Sequence, residues 1–186
     1  MALFLCHWLR DPEDSKSTSL NRIETLKLAR HLRAQFKLDW EGIHGPSHWA
    51  RVRLNGLELA RSTGADPLVV ELFAWFHDAR RMNDYEDPGH GERGAALARE
   101  LCGELFTASD HQLALLEEAC CGHSDGHLAA DVTVQTCWDS DRLDLARVGI
   151  IPDPSKLCTE AARSPAFIER AMERSERWSR WSWERA

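Results

Sequence analysis

Long apolar runs are missing from this chain. No stretch approaches the roughly 18 residues of a membrane span, so no membrane-crossing role is expected. Basic tracts are missing too: the net charge is −7 over 186 residues, and no cationic arm or stripe offers a nucleic-acid surface. None of the six cysteines stands in a C-x-x-C pair, which excludes the usual cysteine zinc and thioredoxin-like motifs. Cys6, Cys102, Cys120, Cys121, Cys137 and Cys158 read instead as free thiols in a reducing, cytoplasmic setting. The start, MALFLCHWLRDPED, is too short for a signal peptide and has no cleavage pattern. Period-two alternation and internal repeats are also lacking. What remains is helix, and with 43% apolar content the expectation is one all-α domain over residues 1–186.

The stretch PLVVELFAWFHDARRM (67–82) organises the rest. Asp66-Pro67 is a helix start, a capping oxygen followed by a residue that needs no N–H at the first position. The next residues are apolar except for Glu71, which predicts a helix buried almost all round. His77 and Asp78 end that run, and a carboxylate is rarely buried without a partner. Consecutive helical positions point roughly 100° apart, close enough for both side chains to reach one cation.

Around it, residues 1–18 read as an arm and 19–36 as a helix. Gly42, Gly45 and Pro46 mark a loop in which Ser47 can cap the next helix. That helix, from about His48 to Thr63, ends at Gly64 and places His48 with Val52, Gly56 and Leu59 on its inward face. Another opens at His90, with Gly94, Leu97, Ala98 and Leu101 sharing its face, and stops at Gly103. A helix over about 109–121 leads with its apolar face to His123. Residues 131–149 form one helix or two short ones, broken by Pro152 and Pro154. Ser164-Pro165 starts a last helix, over 164–186. There Trp178, Trp181 and Trp183 pack back onto the body or form a homodimer contact. Arg80-Arg81 and Arg51/Arg53 leave room for a small anionic ligand.

Three elements thus aim His48, His77, Asp78 and an aspartate of WDSDRLD inward. Two imidazoles and two carboxylates offset one divalent cation and leave positions for water and substrate. Asp139 and Asp141 lie about 200° apart on a helix, so only one of them faces such an ion.

The ordered set HWARV (48–52), FHDA (76–79) and DSDRLD (139–144) resembles the HD superfamily of metal-dependent phosphohydrolases, over roughly residues 40–150. The separations suit it: 29 residues from His48 to His77 and 63 from Asp78 to Asp141. The resemblance implies a helical bundle around one divalent ion (Fe, Mn, Zn, Ni, Co or Mg) held by His48, His77, Asp78 and Asp141. The last is chosen because the ligand precedes Lys or Arg in similar sequences. HGERGA (90–95) and CGHSDG (121–126) look like paired motifs of bacterial HD hydrolases that split symmetrical dinucleoside tetraphosphates. They imply that His90 and His123 contact phosphate or donate a proton, beside Arg80 and Arg81. The implied reaction is hydrolysis of a small phosphate ester or nucleotide, with Asp78 orienting a metal-activated water. Arg81-Met82 stands where alarmone hydrolases carry Glu-Asp, and the Gly-Tyr-Pro motif of cyclic-dinucleotide phosphodiesterases is missing. Two further readings stand beside it: a di-iron oxygenase using all six inward ligands, and a nucleotide-binding regulatory module with little activity.

Overall fold

Asp66 caps the central helix as the sequence suggests, its carboxylate accepting from the Leu68 and Val69 N–H groups at 2.9 and 3.4 Å. The computed structural model describes residue 20 and residues 22–183, with the side chains of 22, 23 and 178–183 excepted. The expected N-terminal arm and the tryptophans at 178, 181 and 183 therefore fall outside the described residues or side chains. The helices are α1 (Arg22–Gln35), α2 (Pro46–Thr63), α3 (Pro67–Phe76), α4 (His90–Leu101), α5 (Asp110–Gly122), α6 (Val132–Arg142), α7 (Glu160–Arg163) and α8 (Pro165–Trp183). Short 3-10 turns cover Leu145–Val148 and Pro154–Lys156. The fold is all-α, with no strand among the described residues.

Helix α3 is the hub. Every residue from Leu68 to Phe76 is buried, and α2, α4, α5 and α6 all pack against it. Its one charged side chain, Glu71, is neutralised by Arg53 at 2.8 Å. Arg51 is likewise paired internally, with Asp144. The Arg51/Arg53 cluster is therefore part of the interior and not a ligand surface. A second, smaller core of Leu59, Leu143, Leu157, Phe167 and Ile168 seats α8 against α2 and the segment after α6.

Several boundaries differ from the sequence expectation for local reasons. Helix α2 begins at Pro46 with Gly45 as an extended N-cap, so Ser47 lies in the first turn and caps nothing. The 131–149 stretch takes the two-part form of its expectation: α6 ends at Arg142, and the chain tightens into a 3-10 turn before Gly149 at φ 80°. Helix α3 stops at Phe76, which leaves His77 and Asp78 on the turns just beyond it. Helix α4 presses on that point. A Cβ on Gly94 would sit 2.2 Å from the Phe76 carbonyl oxygen, and one on Gly91 2.0 Å from that of Cys120. Only glycine lets α4 approach α3 and α5 so closely.

Candidate metal centre

Four histidines meet at Asp78, and each is held by its far nitrogen. His77 Nδ1–H donates to the Phe73 carbonyl at 3.0 Å, one helical turn back. His90 does the same to Asp87 O and His123 to Cys120 O, both at 2.7 Å. His48 Nδ1–H donates to the Asp144 carboxylate at 2.7 Å. A carbonyl or carboxylate oxygen only accepts, so each ring carries a proton on Nδ1 and presents its Nε2 atom inward.

The inward atoms fall into two groups on either side of Asp78, which is 2% exposed. Its Oδ2 lies 3.6 Å from His48 Nε2 and 3.7 Å from His77 Nε2, which are themselves 3.0 Å apart. Asp141 Oδ1 completes this side, 3.2 Å from His48 Nε2 and 4.0 Å from His77 Nε2. The other carboxylate oxygen, Oδ1, faces His90 at 3.4 Å and His123 at 3.8 Å. Those two nitrogens are 2.9 Å apart. Arg81 Nη1 enters the same side, 3.3 Å from Asp78 Oδ1 and 3.2 Å from His90 Nε2.

These separations fit a shared cation. Two nitrogens each about 2.1 Å from one ion, at right angles, lie about 3.0 Å apart. A cation between His48 Nε2 and His77 Nε2 would relieve the repulsion of two facing lone pairs. The donor set is of mixed nitrogen and oxygen type, suited to Zn, Fe, Mn, Co or Ni more than to Ca. The residues present therefore fit a divalent ion, with His48, His77 and Asp78 forming one buried donor group and Asp78, His90 and His123 a second.

The electrostatics agree with ligation. Burial pushes the His77 imidazole down to about 3, so it is neutral and free to bind at neutral pH. Burial lowers His90 as well. For His123 burial, the largest influence, acts downward, but the Asp78 and Asp141 carboxylates and the Cys120 carbonyl together carry the net direction up. Asp78 and Asp141 are desolvated, yet the imidazoles around them hold both carboxyls well below the ordinary range.

The three aspartates of DSDRLD have three different surroundings. Asp141 faces the histidines. Asp139 turns away and accepts from the Cys158 and Thr159 N–H groups at 2.6 and 2.8 Å and from the Thr159 hydroxyl at 2.7 Å. Asp144 is fully buried and orients His48. It also accepts from Arg51 Nε and the Ser175 hydroxyl, each at 2.7 Å. Burial would raise its carboxyl, but Arg51 and His48 bring it down to about 2. Sequence reasoning missed Asp144, Arg51 and Ser175 as a supporting group, although Asp144 lies one helical turn past Asp141 and so points to the same face.

A cavity of about 770 Å³ opens beside the cluster and includes Asp78, Asp141 and His123 in its wall. Arg81, Arg142, Arg147 and Lys156 also line it, together with Asp153. Arg80 does not reach it; its carbonyl accepts from Arg93 Nε at 3.1 Å. His44, on the loop before α2, is tied to Asp84 at 2.9 Å. The five described cysteines are all free. No described helix is long and apolar enough to cross a membrane.

No family model matches the chain, and neither a curated protein nor a solved structure matches it.

Proposed function

We propose that the protein is a metal-dependent phosphohydrolase of the HD type, acting on a small phosphate ester or nucleotide. The observation that carries this is the convergence of four histidine Nε2 atoms on one buried carboxylate at the wall of a cavity that Arg81 also lines. His48, His77, Asp78 and Asp141 would hold one divalent ion. When bound, such an ion supplies Lewis acidity to a phosphoryl oxygen and lowers the pKa of a coordinated water.

The chain's own groups do the rest. Asp78 presents one oxygen to each side of the cluster, so it both ligates and accepts a hydrogen bond from the attacking water. Arg81 Nη1, beside Asp78 Oδ1 and His90, offsets charge on the equatorial phosphoryl oxygens. His123 is the better proton donor of the histidine pair, because the Asp78 carboxylate favours its charged form. The water oxygen bonds to phosphorus as its proton passes to solvent, the phosphorus–oxygen bond to the leaving group breaks, and that oxygen takes a proton from His123.

The second donor group favours one other reading, a pair of irons with oxidative chemistry. Arg81 counts against it: a permanent cation 3.2 Å from His90 Nε2 repels a second metal and attracts an anion. Metal analysis joined to a phosphate-release screen over nucleotides, dinucleoside polyphosphates and sugar phosphates separates the two. The expected result is one ion per chain and phosphate release that Asp78→Ala abolishes. Two irons per chain, O₂ uptake and no released phosphate would establish the oxygenase.

A further inference from the structure

Two large apolar side chains stand exposed in one short loop: Ile150 at 52% and Ile151 at 71%. Both line the cavity that Asp78 and Asp141 wall. Their loop is stiff. Gly149, at φ 80°, closes the preceding turn with its N–H on Ala146 O at 3.0 Å. Pro152 is buried and Pro154 comes two residues later, with the Asp153 carboxylate capping Ser155 N–H at 2.9 Å. A loop held in this way lowers the backbone ordering cost when something covers its isoleucines.

The rest of the cavity says what covers them. Leu145, Pro152 and Leu157 continue the apolar wall. Two of the lining cations are already engaged: Arg142 bonds the carbonyls of Lys156 and His127 at 3.0 and 2.8 Å, and Arg147 those of Ile43 and Asp144 at 3.0 and 3.2 Å. Arg81 is engaged as well, its Nη2 on the Tyr85 carbonyl at 2.6 Å, but its Nη1 sits at the metal donors, 3.3 Å from Asp78 Oδ1. The cavity wall thus offers both Arg81 beside Asp78 for a phosphoryl group and an apolar stretch for a larger body. At about 770 Å³ it is far roomier than a phosphate requires and within the usual range of small-molecule sites.

We infer that Ile150 and Ile151 form the leaving-group subsite, and that the substrate is an organophosphate whose alcohol carries an apolar, ring-sized body. This rests on the phosphohydrolase reading for the reacting end, but binding tests it separately. The probes are methylphosphonate and 1-naphthylphosphonate, titrated calorimetrically into the metal-loaded full chain, each displaced by inorganic phosphate. The wild type should hold the naphthyl compound at least about tenfold tighter. In the double variant Ile150→Ser, Ile151→Ser the gap should shrink to about threefold or less, with methylphosphonate affinity unchanged. Both side chains are exposed, so this variant should melt like the wild type. Equal affinities in the wild type, or a preference that survives in the variant, would overturn the subsite. Turnover of 1-naphthyl phosphate and glycerol phosphate then distinguishes the two claims. Hydrolysis of both at equal kcat/KM removes the subsite and keeps the hydrolase. A binding preference lost in the variant, with neither ester cleaved, keeps the subsite and removes the hydrolase.

Discussion

Asp144 Oδ2 lies 2.7 Å from His48 Nδ1, and this contact joins the metal-facing ring to the C-terminal helix through the Ser175 hydroxyl on Asp144 Oδ1. A carboxylate behind a ligating histidine fixes its tautomer and raises its basicity. Asp144→Asn should weaken metal binding by about 10- to 100-fold in a chelator competition. It should also lower the melting temperature, since the buried Arg51 guanidinium loses the charge of its Asp144 partner. Ser175→Ala keeps the carboxylate and should cost only about 1 kcal/mol, with metal affinity near wild type. Unchanged affinity in Asp144→Asn would show that His48 needs no such orientation.

The surroundings of Asp139 and Asp141 predict opposite outcomes for one chemical change. Asp141→Asn should empty the site, and so should His77→Ala. Asp139→Asn should retain the ion but loosen the 157–160 segment, whose N–H groups its oxygens accept. Elemental analysis of the three purified variants decides. Metal lost from Asp139→Asn and kept in Asp141→Asn would place the wrong aspartate at the ion.

Removing His90 or His123 tests the ion count. With Arg81 occupying their side of Asp78, His90→Ala and His123→Ala should each keep one ion per chain. Phosphate release should fall by at least about tenfold, as for a lost acid or charge stabiliser. Loss of one of two ions in either variant would assign both histidines to a second metal.

The two arginines after Asp78 should separate. Arg81→Ala should raise KM or lower kcat by at least about tenfold, and Arg81→Lys should recover only part, lacking the planar fork. Arg80→Ala, outside the cavity, should behave as wild type. Equal effects of the two alanine variants would mean that the cavity wall reaches further than the geometry indicates.

Acid should destabilise the metal-free protein in a window set by His77. Burial holds its imidazole down to about 3 in the folded chain, against 6.5 when unfolded. Below 6.5 the unfolded chain therefore takes up a proton that the folded chain refuses. The stability due to neutral His77 is complete above that value and is lost as pH falls toward 3. Urea midpoints at several pH values should fall through this range in the wild type and fall less steeply in His77→Gln. Parallel profiles would mean that the imidazole is not buried in its neutral form.

Much of this architecture could be read from the chain alone, because helix signals are local. Asp66-Pro67 starts α3 through its own backbone geometry, Gly64 and Gly149 end their turns at positive φ, and apolar spacing aims His48, His90 and His123 inward. Which atoms then meet is not local information. Residues 29 and 96 positions apart give His48 its inner and outer neighbours. The α4 glycines bring His90 and His123 against the far oxygen of Asp78, through backbone contacts that no periodicity encodes. The same holds for Arg51 and Arg81, two arginines in similar local settings: one is spent inside on Asp144, the other left at the cavity beside Asp78. Packing decided between them, because a guanidinium's role is set by the carboxylate that the fold brings to it.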